Sequence, residues 1–240
     1  MENIRAKNVL ITGGSKGIGY GIAEVLLQHG LNVAITSRSQ KAADEAANSL
    51  SKIETDAKVL ALEADVRDML AMDKAVEATR GAFGGLDVVI ANAGIGKFAS
   101  IEDLTPQDWF DTIDINLNGV FNTVKSTLPS LKESKGYLMT IASLAGTNFF
   151  ARGAAYNASK FGLVGFTQAV MLDLRQYDIK VTTIMPGSVT SHFNDHTPNE
   201  ADAWKIQPED LGQMVIDLLR MHPRTLPSKI EVRPTKPPTK

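Results

Sequence analysis

The chain has 240 residues, 43% of them hydrophobic and 22% charged, a composition that suits a folded globular protein able to bury a substantial core and argues against extensive disorder. A net charge of -2 offers no basic footprint for nucleic acid, and with no cysteine, disulfides, thiolate catalysis and thiolate metal sites are all excluded. Residues Met1 to Lys7 carry charges without an apolar signal region, and no stretch approaches the roughly 18 apolar residues of a membrane span, so a soluble cytoplasmic protein with no membrane partner is expected.

Asn8 to Thr12 is a short apolar strand that runs into Gly13, Gly14, Ser15, Lys16, Gly17, Ile18 and Gly19, a glycine-rich turn. Ile18, Ile22, Val25 and Leu26 then recur at helical spacing as far as His29, with Gly30 as the closing residue. Val33 to Thr36 predicts a second strand, Ser39 to Ile53 an Ala-rich helix capped by Ser39, and Lys58 to Glu63 a third strand leading to Asp65. Asp68 opens a helix to about Phe83. Leu86 to Ala91 is a fourth strand that ends in Asn92, Ala93 and Gly94, where small residues permit close approach.

Thr105 followed by Pro106 marks a helix start that leads through Trp109, Phe110 and Ile113 toward Asn116. A further helix is predicted over Gly119 to Leu131, a fifth strand over Tyr137 to Ile141, and a long helix from about Ala154 to Tyr177. Val181 to Met185 gives a sixth strand, broken by Pro186 and Gly187. Ser188 to Gln207 loses periodicity and reads as a substrate lid, or a loop with a short helix near Ala201 to Trp204. Pro208 to Met221 is a last amphipathic helix, Ile230 to Val232 a short edge strand, and 234–240 a tail expected to fray. Strand and helix alternate throughout, which predicts an α/β fold: a single domain over 1–240 built on a doubly wound, Rossmann-type parallel sheet of about seven strands with helices on both faces.

A helix N-terminus behind a glycine-rich turn, at the carboxyl end of a strand, offers free N–H groups and a positive dipole end to a pyrophosphate. The spacing here is Gly-x-x-x-Gly-x-Gly, which differs from the Gly-x-Gly-x-x-Gly fingerprint, yet its place between strand and helix predicts a nucleotide site. Tyr156 and Lys160 lie four apart on a predicted helix and so share a face. An ammonium beside a phenol favours phenolate and moves the hydroxyl toward acid–base work near neutral pH. His192 and His196 have i, i+4 spacing, but Asn194, Asp195 and Pro198 argue against a continuous helix, and no acid lies at a ligand spacing; no metal site is expected.

Thr12 with Gly13, Gly17 and Gly19, the run Asn92, Ala93, Gly94, then Asn116, Ser143 and the Tyr156-x-x-x-Lys160 pair, in this order, resemble the short-chain dehydrogenase/reductase family over about residues 8–190. Ser143 lies 13 positions before Tyr156. The resemblance implies that Tyr156 donates a proton to a carbonyl, that Lys160 lowers its pKa and holds the nicotinamide ribose, that Ser143 hydrogen-bonds the substrate oxygen, and that Asn116 holds a water linking Lys160 to solvent. By the same resemblance, Asp65 and Val66 contact adenine, while Pro186, Gly187, Val189 and Thr190 pack on the nicotinamide.

An acid at the end of the second strand would bond a ribose 2'-hydroxyl and repel a 2'-phosphate. Thr36, Ser37 and Arg38 stand there instead, with Lys16 in the glycine turn, a pattern that favours NADPH over NADH. Phe98, Phe149, Phe150, Phe193 and Trp204 fall in the segments that follow the fourth, fifth and sixth strands, so an apolar or aromatic carbonyl substrate bounded by Phe98, Phe149 and Phe193 is expected, although Phe149 and Phe150 suit contact with a neighbouring subunit equally well. The C-terminal Lys229 to Thr235 departs from the acidic, glycine-paired ending that many members use to build tetramers, so assembly is expected to reach at least a homodimer but not securely a homotetramer. The leading expectation is an NADPH-dependent carbonyl reductase of the oxidoreductase class. Alternatives are a 3-oxoacyl-thioester reductase, for which no basic carrier-binding surface is evident, and a non-catalytic NADP(H)-sensing protein.

Overall fold

The structure, a computed structural model, describes residue 4 and residues 7–236. Seven strands form one fully parallel sheet: β1 (Asn8–Ile11), β2 (Asn32–Ser37), β3 (Val59–Glu63), β4 (Val88–Ala91), β5 (Tyr137–Ile141), β6 (Lys180–Pro186) and β7 (Lys229–Val232), in the spatial order β3-β2-β1-β4-β5-β6-β7. Residues along each strand alternate between the sheet's two faces, and helices cover both, which is why the central strands β1, β4 and β5 read as apolar runs, whereas the edge strand β7 alternates. Val9, Ile11, Val33, Ile35, Val88 and Ile90 pack with Ile22, Leu26, Leu211 and Val215 from α1 (Gly17–Gln28) and α7 (Pro208–Arg220). Leu10, Ala34, Val89, Ala91 and Leu138 face the other way, onto Val76, Val124, Leu163 and Met171 of α3 (Met69–Phe83), α5 (Gly119–Ser134) and α6 (Ala154–Leu174). Each of these large side chains contributes about 1.5–3 kcal/mol on burial.

The strand order reverses direction between β1 and β4, and that reversal opens a crevice at the carboxyl ends of the strands. Several boundaries differ from expectation. The Ala-rich helix α2 (Gln40–Leu50) stops three residues early, and β6 continues through Pro186, whose missing N–H matters less at a strand's last residue. The helix expected to run toward Asn116 ends at Ile113 as α4 (Pro106–Ile113), and the chain passes through a wider π turn, Asp114–Asn118, directly into α5. The short helix expected near Ala201 to Trp204 is a 3-10 turn over Glu200–Asp202, and a second 3-10 turn, Phe193–Asp195, precedes it in segment 188–207. Residues 237–240 of the expected tail lie outside the described residues. Among the described residues no helix is long and apolar enough to cross a membrane.

Candidate active site

Thr12 and Asn92 stitch the ends of β1 and β4 together. The Thr12 hydroxyl accepts from the Asn92 and Ala93 N–H groups at 3.0 and 3.2 Å, and the Asn92 amide donates to the Thr12 and Gly13 carbonyls at 3.0 Å each. Asn92 thereby builds the wall of the site with both N–H groups of its side-chain amide engaged. Gly13 adopts φ +66, and a Cβ there would come within 2.9 Å of the Ala93 Cα, so only glycine lets the two strand ends meet this closely. Ser39, Asp68 and Thr105 cap α2, α3 and α4 through their side chains. Lys16, at the start of α1, makes no such bond, so the first N–H groups of that helix have no side-chain cap.

This turn forms one side of a cleft of about 780 Å³. Gly13, Ser15, Lys16, Gly17, Ile18, Ser37, Arg38, Asp65, Val66, Asn92, Ala93 and Gly94 line it, as do Ser143, Tyr156, Lys160, Pro186, Gly187 and Val189. Two residues expected at the cofactor are turned elsewhere. Gly19 lies behind the turn, where a Cβ would approach the Asn92 Nδ2 to 2.6 Å. Thr190 donates to the Asp202 carbonyl at 3.2 Å and accepts from Gln207 at 3.0 Å.

At the β2 end of the cleft, Ser15 donates to Ser37 at 3.3 Å and Arg38 lines the wall, with no acid at the tip of the strand. Asp65 is held by Arg67, which the sequence reading did not single out. The guanidinium reaches the carboxylate through Nη2 at 2.6 Å and through Nε at 3.1 Å, and its Nη1 reaches Asp111 at 3.4 Å. The Arg67 hydrogen bonds hold the Asp65 carboxyl below its ordinary range, and the Arg38 charge adds to this.

Tyr156 and Lys160 share a face of α6, as their spacing requires, and Ser143 lies at the end of β5 with its hydroxyl accepting from the Ala145 N–H at 3.1 Å. Burial pushes the Tyr156 phenol above its ordinary value, and a hydrogen bond with Ser143 pulls it back. Burial also pushes Lys160 down to about 8. The net shift of the phenol is therefore upward, opposite to the direction expected from the neighbouring ammonium alone. The ammonium sits 5.7 Å from the Tyr156 ring centroid and donates to the Ile141 carbonyl at 3.1 Å, so desolvation outweighs attraction for both groups.

Asn116 is fully buried, and both polar atoms of its side chain bond protein groups. Its Oδ1 accepts from the Ile95 N–H at 2.8 Å, and its Nδ2 donates to the Ile95 carbonyl at 2.9 Å and to Ser159 Oγ at 3.0 Å. Ser159 in turn donates to the Tyr156 carbonyl at 2.8 Å. The π turn thus delivers a clamp between the loop after β4 and the turn of α6 that carries the phenol. A Cβ at Gly94 would lie 3.2 Å from the Asn116 Oδ1 and 3.7 Å from the Lys160 Nζ.

Phe98 packs edge-on against Tyr156 at 5.3 Å between centroids, and Phe193 lies 5.6 Å from Tyr156. Phe149 is 86% exposed and makes no ring contact, whereas its neighbour Phe150 packs on Phe98 at 5.7 Å. Trp204 lies beside the Lys205 ammonium and does not line the cleft. The segment supplies a cluster that sequence alone did not reveal. Buried Asp202 binds His196 Nε2 and Lys205 Nζ, each at 2.5 Å, and both partners line the cleft. Those bonds, His196 first, hold the Asp202 carboxyl at about 2. The only advance signal was the Asn199 to Asp202 spacing of a capping box, which is present. Among the described residues no group of three His, Asp or Glu side chains is placed to hold a metal.

A model of the family described as short chain dehydrogenase matches residues 7–202. An uncharacterized oxidoreductase of Staphylococcus aureus is 31% identical over 235 residues, covering 98% of this chain and 100% of that one. An alcohol dehydrogenase from the archaeon Thermococcus sibiricus, complexed with 5-hydroxy-NADP, superposes with a TM-score of 0.89 at 26% identity, covering 98% of this chain and 100% of that one. A 3-ketoacyl-(acyl-carrier-protein) reductase from Brucella melitensis, complexed with NADH, gives 0.86 at 25% identity, covering 96% and 98%. With the Rossmann-type sheet, the glycine turn and the Ser143, Tyr156 and Lys160 cluster in one cleft, the chain is an oxidoreductase that belongs to the short-chain dehydrogenase family.

Proposed function

We propose that the protein is an NADPH-dependent reductase of ketone carbonyls. The observation that carries this reading is the convergence of Ser143 and Tyr156 with buried Lys160 on one cleft whose opposite end is the glycine turn. The residues present fit a dinucleotide: the uncapped start of α1 suits the pyrophosphate, and Lys16 and Arg38 suit a 2'-phosphate that an acid at the end of β2 would repel. Bound NADPH supplies the hydride that reaches the carbonyl carbon. Negative charge then builds on the carbonyl oxygen, where Ser143 donates a hydrogen bond and Tyr156 delivers its proton. The raised phenol pKa keeps that proton in place at neutral pH until the oxygen becomes basic enough to take it. Lys160, a cation at neutral pH with its pKa near 8, holds the ribose and stabilises the phenolate left behind.

NADPH oxidation over a panel of aryl ketones, short aliphatic ketones and acetoacetyl-coenzyme A, repeated with NADH, tests this directly. Turnover of ketones with NADPH at least ~10-fold above NADH is expected, and absence of turnover with every carbonyl would reject the reading. A dominant acetoacetyl-coenzyme A activity would favour the 3-oxoacyl-thioester alternative that the Brucella neighbour raises. The partially exposed rings of Trp109 and Phe110 on α4, Phe121 on α5 and Phe161 on α6 support a homodimer formed through these helices.

A further inference from the structure

The rings of Phe98, Tyr156 and Phe193 close into a triangle, with centroid separations of 5.3, 5.6 and 6.2 Å and interplanar angles of 75, 58 and 61°. Edge-to-face packing of this kind leaves no room for a fourth ring among them. Phe98 is fixed from behind by Phe150, and Tyr156 belongs to α6. Phe193 is the one member that comes from segment 188–207, and it is 36% exposed. Its ring lies over Gly96, where any Cβ would run into Phe193 Cε1 and Cζ, so the absence of a side chain at 96 makes the seat.

The chain beyond Phe193 is anchored separately. Asp202 takes His196 and Lys205 on its carboxylate, and Thr190 and Gln207 on its carbonyl. The turn that carries the ring is held by two long bonds that leave the ring itself free to rotate: the Phe193 N–H donates to Ser191 Oγ at 3.3 Å and its carbonyl accepts from the His196 N–H at 3.3 Å, while the next residue, Asn194, sits at φ 55 in the left-handed region. The ring can therefore leave its seat without disturbing the anchored part of the segment.

We infer that Phe193 occupies the seat of a substrate's aromatic ring, so that the cleft selects a carbonyl attached to a flat aromatic group, and that this group must displace Phe193 to reach Tyr156. The inference rests on the carbonyl-reductase reading for its chemistry, and on ring geometry alone for its location. Phe193 then acts as a specificity-determining residue that competes with ligand, and apparent affinity is reduced by the fraction of molecules in which the seat is filled.

The test compares wild type with Phe193→Ala and Phe193→Leu, using acetophenone and 2-butanone at saturating NADPH. Removing the competing ring should lower the ratio of the acetophenone KM to the 2-butanone KM by about 3- to 10-fold, the scale of one or two aromatic contacts. Titration of 1-phenylethanol into NADPH-loaded protein, a pair that cannot exchange hydride, should show Kd falling by a similar factor, with no turnover required. Tighter 1-phenylethanol binding by the variants, in proteins that reduce no ketone, would reject the reductase reading and leave the seat standing. A ratio or Kd that rises would make Phe193 a wall on which substrate stacks and overturn the inference. So would an unchanged ratio, or failure of both wild type and variants to bind 1-phenylethanol. Phe193→Leu keeps an apolar side chain on the turn, so a folding defect confined to Phe193→Ala leaves the comparison intact.

Discussion

Lys160→Met should make the protein more stable and less active at once. The ammonium is buried with 4% exposure, and its pKa falls from 10.5 to about 8, a difference of about 2.5 units that corresponds to about 3 kcal/mol of unfavourable charge burial. Methionine fills similar space without the charge, but strands the Ile141 carbonyl that now accepts from Nζ at 3.1 Å, at a cost of about 1–2 kcal/mol. The net gain near pH 7 is about 1–2 kcal/mol, or roughly 2–8 °C in melting temperature for a chain of this size. Between pH 8 and 10.5 the unfolded chain still holds a proton that the folded wild type has released, so wild-type stability climbs with pH through that window. The advantage of Lys160→Met is therefore full below about pH 8, is used up between about pH 9 and 10, and becomes a deficit of about 1 kcal/mol by about pH 10.5, where only the stranded carbonyl remains. Paired thermal melts from pH 7 to 10.5 measure it as a difference between two proteins that share every other titrating group. A variant that melts lower than wild type at pH 7, or a difference that does not change with pH, would refute the burial argument. The same variant should lose NADPH affinity as well as rate, because Lys160 is assigned both to the ribose and to the phenol.

Arg38→Leu should weaken NADPH binding on the order of 10- to 100-fold, the value of a charge-assisted contact, while NADH changes by less than ~3-fold; Kd for both cofactors from fluorescence titration decides it. Thr36→Val should raise stability by up to about 1 kcal/mol, because the Thr36 hydroxyl is 1% exposed and is one of three buried side-chain oxygens without a hydrogen-bond partner among the described residues; denaturant titration checks the sign. The protein should sediment as a dimer at micromolar concentration, and Phe161→Glu, which charges a ring 42% exposed on α6, should shift it toward monomer.

The centre of the sheet was legible because β1, β4 and β5 are buried on both faces, whereas the edge strands β3 and β7 are partly exposed. Val9, Leu10 and Ile11 are all fully enclosed, so hydrophobicity alone marks the strand, and a glycine turn followed by helical spacing marks what comes next. Boundaries were harder wherever tertiary contacts decide them. The π turn at Asp114–Asn118 leaves no periodic mark in a segment that is helical on either side, and with it the contacts of Asn116 with Ile95 and Ser159 were out of reach of the sequence. The four-residue spacing of Tyr156 and Lys160 showed that they share a face, but burial is a property of the folded chain, and burial reverses the expected direction of the phenol's shift. Phe149 and Phe150 are adjacent and chemically alike; only the backbone path after β5 sends one to Phe98 and the other to solvent. Arg67 and the Asp202 cluster were hidden for a related reason. Each is a local ion pair in sequence, and its position on the cleft exists only once the strand ends have been brought together.

The most direct test of the central claim is single-turnover reduction of a ketone by NADPH-loaded wild type and Tyr156→Phe, followed by the loss of NADPH absorbance, with cofactor Kd measured for both. Removal of the phenolic proton should slow the reaction by at least ~10²-fold while Kd for NADPH stays within ~3-fold, the signature of a lost general acid in an intact cofactor site. Equal single-turnover rates in the two proteins would contradict the account.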